Sequence, residues 1–321
     1  MSGRGLLAFV LRRLVVLAVL LVVISFVTFS LLYISPGNLI DILLGARPHT
    51  AATVRALTRE YHLNKPFLVQ YWLWARQAVQ LRFGTSIQTS LAVTSEITAR
   101  LPLSMFLGIY SFVLTMVFGI GLGVASALKR GSIVDRGLVG GAMLGLSTPA
   151  FVAGVALLYV FAIRVRWFPA YGVGSGFFDE LWHLTLPAVA LAVTTVAYVS
   201  RHTRAAMIGT LDQDYVVFAR ARGLSSRRVL NVYLLRNALI PVITISGVIL
   251  SSLIVGVVLV EVAFSLPGLG SLLVTAATAK DIPTLQAVVL LFAVVIVVAN
   301  LLADVVYMVV DPRIRVGERS T

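Results

Sequence analysis

The sequence predicts an all-α integral membrane protein with six transmembrane helices. First, 59% of the 321 residues are hydrophobic and only 12% are charged, with mean hydropathy +0.97, which is far more apolar sequence than one soluble core buries. Second, apolar runs recur at a length that spans a bilayer, since ~20 residues rising ~1.5 Å each cover a hydrocarbon layer of ~30 Å. Third, the basic residues fall unevenly on the segments between those runs. The formal net charge of +13 would point to nucleic acid in a soluble protein, but no arginine-rich segment is interleaved with stacking aromatics, so nucleic acid is not an expected partner. With no cysteine, disulfides, Cys-ligated metal sites and thiol nucleophiles are excluded.

The first run, 9–33, opens with Arg4, Arg12 and Arg13 and ends at Ile34-Ser-Pro-Gly37. It is longer than the apolar part of a secretory signal and lacks small residues at a cleavage site, so it reads as an uncleaved span. A polar segment, 35–100, follows. Within it 51–61 places Val54, Leu57 and Tyr61 at helical spacing, and 67–81 is a second amphipathic candidate carrying Tyr71, Trp72 and Trp74. Two readings of those aromatics stand: anchoring at the membrane interface, or part of a substrate site.

The second span, 101–128, contains Gly119, Gly121 and Gly123, and a short charged turn leads to the third, 137–163. Gly137, Gly141 and Gly145 repeat every four residues and form one smooth stripe for helix packing, as do Gly119 and Gly123. Ser147-Thr148-Pro149 either packs within this span or unwinds it toward a translocation path, because proline removes a backbone donor. The fourth span, 184–200, is short and has room to begin earlier; the fifth is 239–262 and the sixth 284–310. Asn300 and Asp304 share one face of the sixth, as hydrogen-bonding partners of a neighbouring helix or as part of the path.

The longest polar interruption between later spans is 214–241. Asp212 and Asp214 are suited to cap a short helix through Ala221, Gly223 is the residue expected just past its end, and Ser225 is suited to cap a second helix running toward Pro241. Small Ala219 and Ala221 beside Gly223 permit close approach of another surface. Leu224 offers one apolar knob, and Arg220, Arg222, Arg227 and Arg228 surround it with charge. Arginines here also suit anionic lipid and topology, so they carry less than the Ala, Gly and Leu pattern.

Ala219-Arg-Ala-Arg-Gly-Leu-Ser225 followed by Arg236-Asn-Ala-Leu-Ile-Pro241 resembles the cytoplasmic coupling loop of ABC importer permeases, in particular those of the dipeptide and oligopeptide branch. The general loop pattern is Glu-Ala-Ala, three residues, then Gly; here Val217 and Phe218 occupy the first two places and only Ala219 and Gly223 fit. Leu63-Asn-Lys-Pro66, Gln70-Tyr71, Phe83-Gly-Thr-Ser86, Leu266-Pro-Gly-Leu-Gly270, Asp281-Ile-Pro283, Asn300 with Asp304, and Asp311-Pro-Arg-Ile-Arg315 are similar to landmarks of that branch, in the expected order over nearly the whole chain.

The resemblance implies the type I ABC importer permease architecture in the plasma (inner) membrane, divided as 1–34, an extracytoplasmic insertion 35–100, a core 101–311 with coupling loop 201–238, and a tail 312–321. It implies a second homologous permease, two cytoplasmic ATPases and an extracytoplasmic substrate-binding protein as partners. It also implies ATPase coupling through Asp214, Ala219, Arg220, Ala221, Gly223, Leu224, Ser225 and Arg228. Related permeases serve nickel, glutathione and other small solutes.

With the N-terminus inside, inner segments hold three Lys and Arg at the start, three in 129–136, seven in 201–236 and three in 313–319, against two and one in the short outer loops. That bias puts both termini and the coupling loop in the cytoplasm. No phosphate-cradling Gly-x-x-x-x-Gly-Lys-Ser/Thr run occurs, so the chain itself is not expected to hydrolyse ATP, and ATP and magnesium belong to the partner ATPases. The four histidines show no metal-ligand spacing, and the span interiors are nearly free of ionisable residues, which disfavours a gradient-driven transporter, the main rival class.

Overall fold

The computed structural model describes residues 3–34, 39–44 and 50–310. In chain order the helices are α1 (Gly3–Ile34), α2 (Leu39–Leu44), α3 (Ala51–Glu60), α4 (Phe67–Val79), α5 (Val93–Leu128), α6 (Ile133–Ser147), α7 (Ala150–Leu157), α8 (Phe177–Leu211), α9 (Asp214–Ala221), α10 (Ser226–Arg228), α11 (Arg236–Ala263), α12 (Leu269–Thr278) and α13 (Ile282–Val310). Wider π-helical turns, Leu158–Arg164 and Val229–Leu235, continue α7 and join α10 to α11. The turn 35–37 and the landmark 311–315 lie outside the described residues.

Among the described residues, five helices are long and apolar enough to cross a membrane: Leu11–Ile34, Val93–Leu128, Phe177–Leu211, Ser226–Ala263 and Ile282–Val306. The sixth expected span is the pair Ile133–Ser147 and Ala150–Arg164, bent by 106° at Thr148-Pro149. Three spans differ from their expected limits. α5 starts eight residues early because Val93 and Ile97 are buried in a cluster with Leu269, Leu272, Ala287 and Val288. α8 starts at Phe177, after Gly176 at φ 85, and runs on to Leu211. α11 continues a helix that begins at Ser226 and passes through Pro241.

Two compact units are present, residues 1–104 with 267–297, and residues 105–266 with 298–321. In the first, α4 lies on α1 through interlocked rings: Phe26 and Phe29 meet Phe67 and Tyr71, and Tyr33 meets Phe67 at 4.9 Å between centroids. Leu57 of α3 is buried with Leu32, Leu43, Leu44 and Ile282. Asp281, 2% exposed, caps α13 by accepting from the Thr284 N–H (3.4 Å), and it accepts from Thr284 Oγ1 as well (2.8 Å). It also accepts from Ser86 Oγ (2.5 Å) and the Ile87 amide (3.1 Å), which ties 83–87 to that helix start.

In the second unit α8 is the hub, packed against α6, α7 and α11. Its side toward α5 is linked by hydroxyl pairs, Thr115 with Thr195 at 2.8 Å and Tyr110 with Thr185 at 3.1 Å. Such pairs satisfy polar groups that lipid would leave unpaired.

Candidate functional site

The helix-turn-helix 214–230 forms as the residue types demand, with changes of detail. Its N-cap is Gln213, not Asp212 or Asp214. Asp212 ends α8, and Asp214 sits in the first turn of α9, where a negative charge suits the helix dipole. Gln213 does not cap with its side chain, because its amide donates back to Gly209 O at 3.1 Å. Gly223 closes α9 at φ +74: its N–H bonds Arg220 O (2.9 Å) and the Leu224 N–H bonds Ala219 O (3.3 Å), the paired pattern of a left-handed helix end. Ser225 precedes the next helix but makes no side-chain cap bond.

The loop has two faces. Val216 and Ala219 are buried with Ala127, Met207, Val229, Leu234 and Ala238, and Leu224 packs against that cluster. Leu224 and Ala219 thus serve the chain's own packing, because the left-handed end folds Leu224 back over the turn it closes. The apolar groups turned outward are Tyr215, Val217 and Phe218, with Phe218 67% exposed. Ala221, Gly223, Arg220, Arg222, Arg227 and Arg228 are exposed beside them, and a Cβ at Gly223 would meet nothing within 4 Å.

Beneath the loop lies a charge pair in which Asp135 is buried and Arg204 half-buried. Asp135 accepts two hydrogen bonds from Arg204, from Nε and Nη2, both 2.8 Å, as well as one from Ser126 Oγ and one from the Gly131 amide (2.9 Å). Ser132 caps α6 by accepting from the Asp135 N–H. This two-pronged geometry fixes the turn between α5 and α6 against α8, one turn before Met207 enters the loop's core.

Three of the predicted packing glycines meet α8. A Cβ would lie 2.6 Å from Val199 Cβ at Gly119, 2.6 Å from Ser200 O at Gly123, and 3.0 Å from Ala197 Cβ at Gly145. Gly137 and Gly141 face open space. The stripe is therefore not one seam within this chain, because only its last member reaches α8. Ser147 and Thr148 bond back to Met143 O and Leu144 O, and the Thr148 carbonyl accepts from Thr194 Oγ1 of α8 at 3.0 Å. A neighbouring helix thus satisfies a carbonyl freed by the break, which is how irregular backbone persists at membrane depth. Asn300 donates to Ser251 Oγ of α11 at 2.9 Å, and Asp304, one turn on, is half-buried.

Residues 119–316 match the family described as the binding-protein-dependent transport system inner membrane component. The chain belongs to that family. Residues 6–108 match the N-terminal part described for membrane components of the same systems. Among curated relatives, this permease is 39% identical to the oligopeptide transport system permease protein AppB of Bacillus subtilis, over 96% of this chain and 99% of that protein. It is 36% identical to the probable peptide ABC transporter permease protein y4tP of Sinorhizobium fredii, again over 96% and 99%. Its fold is that of a chain of the inward-facing MetNI methionine ABC transporter, with TM-score 0.55, 17% identity, and coverage of 67% of this chain and 96% of the other.

Sequence reasoning missed two parts of the permease's loop region. The outward set Tyr215, Val217 and Phe218 follows once Val216 and Ala219, three apart, are assigned to the buried side of α9. The Asp135 and Arg204 pair had one legible signal, the Ser132-x-x-Asp135 capping pattern. Nothing in the linear sequence linked it to Arg204, 69 residues away.

Proposed function

We propose that this chain is one of two permeases in an ATP-driven importer of dipeptides and oligopeptides in the plasma membrane, with both termini and the 214–230 loop in the cytoplasm. Two ATPases bind ATP and magnesium and hydrolyse the ATP, an extracytoplasmic protein delivers the solute, and the second permease completes the path. The outward face of 214–225 carries the reading. An exposed aromatic knob, Phe218, stands on a helix whose other face is anchored in the chain's own core, with exposed Arg220 on the same helix, Arg222 just past its end, and Arg227 and Arg228 on the next helix. Such a surface suits a cleft with acidic walls on a soluble partner. Peptide as the solute is supported by the names of relatives that match end to end.

The loop acts as a lever in this reading. Closure of the ATPase pair moves α9, and the helix from Ser226 to Ala263 carries the motion into the span, exchanging inward- and outward-open states. The test is co-purification from mild detergent with mass spectrometry, together with peptide uptake in proteoliposomes. A second permease and ATPases should accompany the chain, and Gly223→Glu should abolish uptake and release the ATPases while membrane insertion persists. Uptake driven by a proton or sodium gradient without ATP refutes the reading.

A further inference from the structure

The first compact unit contains a cavity of about 260 Å³. Its lining is divided by burial. Phe29, Pro283 and Gln286 are buried, Tyr61 and Trp74 are half-buried walls, and Glu60 and Arg82 are exposed at the mouth. Gln286 is 4% exposed, and its Nε2 donates to Thr28 O and Phe29 O at 3.3 Å each. The amide is fully used as a donor toward α1, and its oxygen accepts nothing from a described residue. That oxygen is not enclosed, so a donor entering the cavity can reach it.

The mouth carries one charge of each sign. Glu60 and Arg82 form no ion pair with any described residue, although both line the same cavity. They stand at the ends of α3 and α4, and each helix closes on a left-handed residue that is not glycine, His62 at φ 54 and Leu81 at φ 57. Those turns direct the chain toward the opening at an energetic cost, as is common at binding sites. A Cβ at Gly84 would make ordinary contact with Tyr61 Oη at 3.6 Å and Glu60 Oε1 at 3.8 Å, and its φ of +81 is what favours glycine there.

We propose that this cavity binds a small zwitterion, a free amino acid or a dipeptide. The ammonium group is held by Glu60, by the Gln286 carbonyl and by the ring of Trp74, and the carboxylate by the guanidinium of Arg82. An ammonium supplies the donor that Gln286 lacks and is attracted by an aromatic face, and a guanidinium matches a carboxylate in shape. The volume equals roughly nine waters at ~30 Å³ each, which limits the ligand to amino-acid or dipeptide size. The inference stands on the cavity's own chemistry, whichever solute the complex imports.

The permease complex, reconstituted in lipid nanodiscs without its substrate-binding protein, is titrated calorimetrically with L-leucine and glycyl-L-leucine, and with N-acetyl-L-leucine and L-leucinamide as single-charge controls. Saturable binding of the zwitterions is expected, weakened about tenfold by either Glu60→Gln or Arg82→Gln. Glu60→Gln should not weaken N-acetyl-L-leucine further, nor Arg82→Gln weaken L-leucinamide. Both positions are exposed, so gel filtration should show assembly unchanged. No saturable binding, equal binding of the controls, or binding indifferent to both substitutions overturns the proposal. Peptide uptake with the binding protein present is measured separately, and its outcome bears on the importer reading alone.

Discussion

Gly123→Ala sets the cost of the seam between α5 and α8. The added Cβ would lie 2.6 Å from Ser200 O and 2.6 Å from Thr203 Cβ, where ordinary contact begins at 3.4 Å, so about 0.8 Å must be found. Neither neighbour is the end of a flexible side chain. One is backbone and the other a β-carbon, and the Thr203 side chain is 0% exposed. The helices themselves must therefore part. Overpacking of this kind costs about 1–3 kcal/mol, while replacing a helical glycine by alanine returns about 1 kcal/mol. Gly141→Ala is the control, since its Cβ enters open space and gains the same propensity. The difference between the two variants isolates the packing cost. At ~2–4 °C per kcal/mol for a chain of this order of size, Gly123→Ala should melt several degrees below Gly141→Ala when the purified chain is heated in detergent. Equal melting temperatures would refute the assignment of Gly123 to a tight seam. A defect of Gly141→Leu confined to the assembled complex would mean that this part of the stripe meets the second permease.

Four further outcomes follow from the same geometry. Phe218→Ala should release co-purifying ATPase and leave the melting temperature unchanged, whereas Leu224→Ala should lower stability, which pull-down and thermal unfolding separate. Gly223→Ala should cost about 1–2 kcal/mol from its positive φ alone, visible as a reduced melting temperature before any partner is added. Asp135→Asn should destabilise the chain more than Arg130→Gln, because the first breaks a buried four-bond arrangement and the second an exposed contact at 3.8 Å. Ser86→Ala should cost about 1–3 kcal/mol by removing a donor from buried Asp281 and should raise hydrogen exchange in 83–87.

The spans, the loop and its closing glycine were readable because each is a local event: an apolar run, a change of period, a residue suited to φ +74. Faces were harder. Leu224 looked like a projecting knob beside Gly223, yet a left-handed helix end turns the next residue back onto its own helix, and Phe218 took the outward place. Tertiary partners left almost no linear trace. Ser86 and Asp281 appeared as separate landmarks 195 residues apart, and only the fold joins them in one hydrogen bond. The cavity near Gln286 was only partly legible, since most of its lining lies in 60–84 but 29–32 and 283–286 are remote from that stretch in sequence.

The helix from Ser226 to Ala263 has a consequence for rotation. Along an α-helix each residue advances the azimuth by about 100°, so everything attached to one end is phase-locked to the other. The π-helical turns at Val229–Leu235 depart from that count by holding more residues per turn. They act as a spacer that sets the compass bearing of the outward face around the axis of the span. Deleting one residue there would shorten the span from Ser226 to Ala263 and turn its α11 part against the 214–225 loop by roughly a quarter turn.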